Sequence, residues 1–422
     1  MHQPLLVNIS NQRDSCPDPR RCFAFLQPKK IDRVLLSGVF IGLLSFSMKF
    51  VVFKENRLVS GEGLFLWQVL TPFEIFLFSI PWISFIILIS LTERIKIRWE
   101  LSGVTGNLAV MLVFLFLGLS GQRLISQDYP FARISIGAGA WLFLLASYII
   151  IAFSVKNLRS RRLYGVTVAI SGFIILVIFS LSGLLDDISI FKEYAARKGR
   201  FISELARHLV LSGMAVVFAV ITGIPLGLLA FRKKLFSKPL FVFVNSVQTI
   251  PSLALFGIMI APLAILSQRY PFLREIGIKG VGAAPAIIAL TLYALLPITR
   301  NTYTSLKILD PSVIESASGM GMSRAQLLFN IEIPLSLPVV LAGVRISLVQ
   351  AIGNTAVAAL IGAGGFGVFI FQGLGQAVPD LILLGTLPVI ALAVSADKLF
   401  ELIIRVATPR GMHIRENAVQ SY

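Results

Sequence analysis

Few stretches of this 422-residue chain hold residues that could do chemistry, and each has to be tested against its surroundings. Gly362–Gly367 reads GAGGFG, which satisfies G-x-G-x-x-G. Such a loop cradles a pyrophosphate only between a strand and a helix, with an acidic residue about 20 positions on. Here it follows a long apolar run, and the next acids are Asp380 and Asp397. It reads instead as a glycine-rich break at the outer end of a membrane helix, which makes Gly364 and Gly365 candidates for a gate. A P-loop is excluded because the dipeptide Gly-Lys never occurs, so no loop is present to hold ATP phosphates. Cys16 and Cys22 match no zinc spacing, and His2, His208 and His413 are scattered, so no metal is expected and the cysteines read as spare thiols. No H-E-x-x-H, G-x-S-x-G or paired-carboxylate site supports a hydrolase. The chain is read as non-catalytic, with no cofactor of its own.

The second stretch is ESASGMGMSRAQLLFNIEIPLSLP, Glu315–Pro338. Asp310 can cap a helix that has Pro311 at its first position, and Ser312 with Glu315 offers an alternative capping box. Gly321 is placed to end that helix in the left-handed conformation, where a β-carbon costs about 1–2 kcal/mol. Ser323 with Gln326 forms a second box-like pair opening a second helix, on which Leu327, Leu328 and Ile331 share a face. Pro334 is expected to stop it. The result is a compact helical knuckle with an apolar face, suited to a groove on a partner or to packing on its own bundle.

These residues need a frame, and composition supplies it. The chain is 56% hydrophobic and 14% charged with a mean hydropathy of +0.84, against about 25% charged residues in soluble domains. The class is all-α integral membrane. About ten transmembrane helices are expected, over residues 34–53, 71–91, 103–120, 134–154, 163–184, 208–230, 240–265, 281–299, 335–361 and 382–405. The net charge of +17 reflects basic residues on the inner face rather than nucleic-acid binding, since no basic-aromatic module is present. With the N-terminus inside, the inner segments hold 23 Lys and Arg and the outer loops 12, which supports cytoplasmic N- and C-termini. The expected organisation is a cytoplasmic tail (1–33), a five-helix extension (34–185), an amphipathic periplasmic connector (186–207) and a second bundle (204–405). The knuckle lies in a cytoplasmic loop (305–334) of that bundle, and a short tail (406–422) closes the chain.

Polar residues at membrane depth are the remaining candidates. Pro251 should kink its helix. Gln248, Asn354 and Thr355 either bond between helices or line a pathway. Arg345 lies about ten residues into the ninth span, where an unpaired charge costs about 2.5–3.5 kcal/mol, so it must face protein or water. Lys49 can snorkel, and Asp397 and Lys398 read as interfacial.

Glu315, Ser316, Ala317, Gly321, Ile331, Ile333 and Pro334 resemble the EAA signature, E-A-A-x3-G-x9-I-x-L-P, of permease subunits of bacterial ABC importers. Ser316 and Ile333 are mild departures from it. The stretches HLVLSGMAVVFAVITGIPLGLLAFR, VNSVQTIPSLALFGIMI, the Glu315–Gly367 segment and TPRG are similar to the branch importing glycine betaine, choline or carnitine. That resemblance covers residues 200–411. It implies a type I importer bundle in the inner membrane, and a knuckle in which Glu315, Ala317 and Gly321 contact a cytoplasmic ATPase dimer holding ATP and magnesium. It also implies a periplasmic binding protein and a second permease copy or paralogue. Other readings stay open on the residues: an ABC permease for an amino acid, an ion-coupled secondary transporter, or a sensor role for the first five helices.

Overall fold

The computed structural model describes residues 33–57, 59–90, 97–125, 131–158 and 162–408. Cys16, Cys22, both expected tails and most of TPRG lie outside the described residues. The chain is mostly helical and divides into two compact units, Met1–Glu55 with Gly61–Ile188, and Asn56–Ser60 with Ser189–Tyr422. Among the described residues, eight helices are long and apolar enough to cross a membrane, and Arg33–Ser45 and Pro72–Leu88 are shorter apolar helices.

The first unit contains α1 (Arg33–Ser45), β1 (Lys49–Lys54), β2 (Glu62–Phe65), α2 (Leu66–Val69), α3 (Pro72–Ser90), α4 (Arg98–Leu124), β3 (Arg133–Ile136), α5 (Ala138–Asn157) and α6 (Arg162–Leu181). The expected first span, 34–53, is not one helix. It stops at Ser45, and Lys49–Lys54 becomes the middle strand of an antiparallel sheet ordered β2-β1-β3. Phe50, Val51 and Val52 are β-branched or aromatic residues suited to a strand, and a continuous apolar run does not reveal where helix gives way to strand. Lys49 is therefore a strand residue, not a snorkelling helix end. Phe50, Phe78 and Phe143 meet edge to face and Trp82 packs on Phe143, arrangements that suit the aromatic quadrupole.

The second unit contains α7 (Ser189–Ala196), α8 (Lys198–Arg232), α9 (Lys234–Thr249), α10 (Ser252–Arg269), α11 (Phe272–Glu275), α12 (Ala283–Lys307), α13 (Pro311–Gly319), α14 (Arg324–Leu327), α15 (Ile333–Ala358), α16 (Gly367–Gly375) and α17 (Pro379–Ala407). The stretch expected to be a single connector, 186–207, is divided. Its first part is α7, and residues 198–207 are the first turns of α8, which contains no break until Arg232. The expected span 240–265 is likewise two helices, α9 and α10, separated at Ile250–Pro251.

Helix α12 is the hub, packed against α8, α15, α9 and α10. Small residues allow the close approach. Gly223 and Gly227 form a G-x-x-x-G ridge on α8 that lies against Ile298, Thr299 and Thr302, the arrangement that lets membrane helices gain dispersion contact without a hydrophobic driving force. A β-carbon on Gly227 would sit 2.7 Å from both the Thr299 carbonyl oxygen and Thr302 Cβ. Gly227→Val should therefore destabilise the unit by about 1–3 kcal/mol. Gly213→Val, whose β-carbon would meet nothing within 4 Å, should leave the thermal midpoint of the detergent-purified protein unchanged. Equal midpoints for the two variants would remove this account of the α8–α12 contact.

Candidate functional site

The knuckle forms as its residue types dictate. The Asp310 carboxylate accepts from the Ser312 N–H at 3.0 Å and from its hydroxyl at 2.8 Å, with Pro311 at the first position of α13. The cap is Asp310, and the Ser312 hydroxyl is already engaged there. At the other end the Met322 N–H reaches the Ala317 carbonyl at 3.3 Å and the Gly321 N–H reaches Ser318 at 3.0 Å. These are the paired bonds of a Schellman turn, and Gly321 holds the left-handed position at φ +85°. Ser323 and Gln326 complete a capping box, with bonds of 2.8 and 3.3 Å.

Two expectations fail here. Pro334 does not stop the second helix. Residues Leu328–Glu332 form a π turn, with Ile333 N–H bonded to Leu328, and the helical path runs unbroken from Arg324 to Ile361. The wider turn relieves the clash between a proline ring and the carbonyl four residues before it. Ala317, expected at a partner contact, is 2% exposed and closes the turn from within. The surface is instead offered by Glu315, Ser316, Val313, Met320 and Phe329, all exposed, with Ile331 half-buried. The sequence reading also passed over Glu332. Its carboxylate is buried in the π turn and pairs with Arg232 at the end of α8.

Polar residues inside the bundle separate into structural and unengaged ones. Pro251 caps α10 at a true helix break rather than kinking one helix. The Ile250 carbonyl freed there accepts from the Tyr293 hydroxyl of α12, and in the other direction the Gln248 side chain of α9 donates to the Tyr293 carbonyl at 2.7 Å. Gln248 is thus an interhelical fastener. Thr355 is fully buried and bonds its own helix at Ala351. Asn354 is half-buried, with no side-chain hydrogen bond among the described residues. Arg345 forms a bidentate pair with Asp397, at 2.6 and 2.7 Å. Asp397, read as interfacial, is the ion-pair partner of Arg345 across α15 and α17.

At the far end of α15, Gly362, Gly364 and Gly365 take positive φ angles of 75°, 84° and 83°, and the chain turns into α16. Three residues of α8 grip this break. Glu204 accepts from the Gly365 N–H at 2.7 Å, Arg207 Nε donates to the Ala363 carbonyl at 2.8 Å, and His208 Nδ1 accepts from the Phe366 N–H at 3.2 Å. His208 Nε2 faces the Ile352 carbonyl at 3.0 Å, so the ring carries its proton on Nε2. With those amides taken by a carboxylate and an imidazole, GAGGFG has no free cradle for a phosphate. Glu204, Arg207 and His208 escaped the sequence reading. A histidine inside an apolar helical run was the available signal.

Comparison with known proteins gives the family. Residues 215–410 match the family described as binding-protein-dependent transport system inner membrane component, and residues 32–191 match "ABC transporter permease YehY, N-terminal domain". A glycine betaine/carnitine/choline transport system permease protein, OpuCB of Bacillus subtilis, is 39% identical over 51% of this chain and 91% of its own. The chain belongs to this family of transport permeases. The osmoprotectant import permease protein OsmW of Salmonella typhimurium is 38% identical over 51% of this chain and 94% of its own. The carnitine transport permease protein OpuCB of Listeria monocytogenes is 44% identical over 45% of this chain and 80% of its own.

The Arg345–Asp397 pair generates a test. Each side chain is about one-third exposed, and removing one partner leaves the other's charge uncompensated within the bundle. Arg345→Leu and Asp397→Leu should each lower the yield of monodisperse protein on fluorescence-detected gel filtration, and the double substitution should restore it. A double variant as poor as the singles would count against a mutual charge balance.

Proposed function

We propose that this chain is the membrane-spanning permease subunit of an ATP-driven importer for a compatible solute of the quaternary ammonium class, such as glycine betaine, choline or carnitine. The observation that carries the mechanism is the knuckle. It is a capped, glycine-turned helical pair with exposed Met320 and Phe329, in a chain of a transport-permease family. An exposed apolar pair on a rigid turn suits insertion into a groove of a separate protein. The cargo class rests on the relatives, which are transport permeases for glycine betaine, carnitine and choline.

In this reading a periplasmic binding protein delivers the solute and contributes whatever aromatic cage selects the cation. ATP and magnesium sit on a cytoplasmic ATPase dimer, whose closure moves the knuckle and turns the bundle outward. Hydrolysis resets it. The chain itself binds no nucleotide and performs no hydrolysis. The knuckle, both termini and the basic segments face the cytoplasm of a bacterial inner-membrane transporter that contains two permease subunits. Asn354 and the Arg345–Asp397 pair line the aqueous route, because an ion pair one-third exposed within the bundle needs water or protein beside it. Gly364 and Gly365 shape the outer gate.

Reconstitution into vesicles with the cognate ATPase and binding protein tests the reading. Labelled glycine betaine should accumulate only with ATP, and uptake without ATP or without the ATPase would sink it. Gly321→Leu should abolish ATP-dependent uptake while leaving membrane insertion intact, because a β-carbon at φ +85° costs about 1–2 kcal/mol and unseats the turn. Normal uptake by that variant would remove the proposed role of the turn.

A further inference from the structure

A cavity of about 580 Å³ lies beside the end of α12 that leads into the knuckle, lined by Phe241, Arg300, Tyr303, Thr304, Lys307 and Ile308. Arg300, Thr304 and Lys307 follow an i, i+4, i+7 pattern, so they stack on one face of the helix. The two cations lie about 10 Å apart along its axis. Neither makes a side-chain hydrogen bond or ion pair among the described residues. Across the cavity Phe241 of α9 meets Tyr303 edge to face at 5.2 Å, giving the site one apolar wall. Two unpaired cations, a hydroxyl and an aromatic wall are matched to an anionic group attached to an apolar body.

The adjoining start of α9 indicates what that body is. Leu235 is 93% exposed and Phe236 is exposed beside it. Lys233, Lys234 and Lys238 surround them, also exposed and with no side-chain partner among the described residues. Apolar residues projecting between lysines are the pattern of a helix lying at a bilayer surface, with its apolar side chains in the acyl boundary and its cations at the headgroups. A bilayer surface at this end of α9 would bring headgroup phosphates to the cavity.

We propose that this cavity binds the headgroup of an anionic phospholipid, with Arg300 and Lys307 holding its phosphate, Thr304 donating a hydroxyl and Phe241 beside the glycerol and upper acyl chain. The site is separate from the solute route and uses none of the residues assigned to it. Its occupancy would couple the knuckle end of α12 to the charge of the surrounding leaflet.

Native mass spectrometry of the full chain in detergent, titrated with dioleoyl-phosphatidylglycerol or dioleoyl-phosphatidylcholine, tests this. The wild type should retain the phosphatidylglycerol about tenfold more tightly than the phosphatidylcholine. Arg300→Gln with Lys307→Gln should weaken phosphatidylglycerol binding by about 25-fold, at about fivefold per cation, and leave phosphatidylcholine unchanged. The charge-keeping pair Arg300→Lys with Lys307→Arg should retain most of the preference, and if the glutamine pair fails to fold, Arg300→Gln alone should show the single-cation loss. Arg274→Gln with Lys279→Gln, in α11 and in the segment just before α12, should change nothing. Unaltered phosphatidylglycerol binding in the glutamine variants overturns the proposal. So does an equal loss in the Arg274 and Lys279 control, which would mean diffuse charge. Full displacement of the lipid by inorganic phosphate at millimolar concentration overturns it too, in favour of a free-anion site.

Discussion

Inside a bilayer every backbone and side-chain polar group has to find its partner within the protein, because lipid offers none. The second unit is organised around that constraint wherever its helices break. The gap at Ile250–Pro251 frees a carbonyl, and Tyr293 of α12 supplies the donor. The break at Gly362–Gly365 frees amides and a carbonyl, and α8 supplies an acceptor, a donor and an imidazole for them. Arg345 would be prohibitive alone and is held by Asp397. Each irregularity is thus bought with a side chain from a neighbouring helix, which also locks the two helices together.

The two ends of the bundle use this rule differently. At the glycine break the freed backbone groups of Ala363, Gly365 and Phe366 are engaged by side chains of α8. At the knuckle the backbone is satisfied internally by Asp310, by the Schellman turn and by the Ser323–Gln326 box, which leaves the side chains free. Met320 and Phe329 stay exposed, although burying either would be favourable. The turn is thus self-sufficient in hydrogen bonds while its apolar side chains remain exposed.

Local chemistry made the knuckle readable from sequence. Caps, a left-handed glycine and box pairs act over three or four residues, and Asp310, Gly321, Ser323 and Gln326 stand as their types require. Helix content was readable for the same reason, through long apolar runs. What was not readable depends on partners distant in the chain. Nothing adjacent to Lys49–Lys54 announces the strands that pair with it, at Glu62–Phe65 and Arg133–Ile136. His208 meets Phe366 158 residues away, and Arg232 meets Glu332 100 residues away. Pro334 misled because its usual effect was absorbed by a π turn, and a π turn carries no sequence mark of its own. Ala317 misled because residue type alone does not tell a contact surface from the inside of a turn.

The long-range pairs also decide how the bundle can move. Helix α8 and the helical path from Arg324 to Ile361 span 35 and 38 residues, each more than the roughly 30 Å of hydrocarbon requires. They are pinned to each other at both ends. Arg232 holds Glu332 beside the knuckle, and Glu204, Arg207 and His208 hold residues 363–366 and Ile352 at the glycine break. Sliding one helix along the other would break both fastenings at once, including a buried carboxylate pair whose rupture leaves an uncompensated charge. Tilting both as one body breaks neither. The two fastenings therefore make α8 and α15 a pair that resists sliding. The break in the helical backbone lies elsewhere, at the α9–α10 gap, which is held to α12 by the Tyr293 hydroxyl on Ile250 and by Gln248 on the Tyr293 carbonyl.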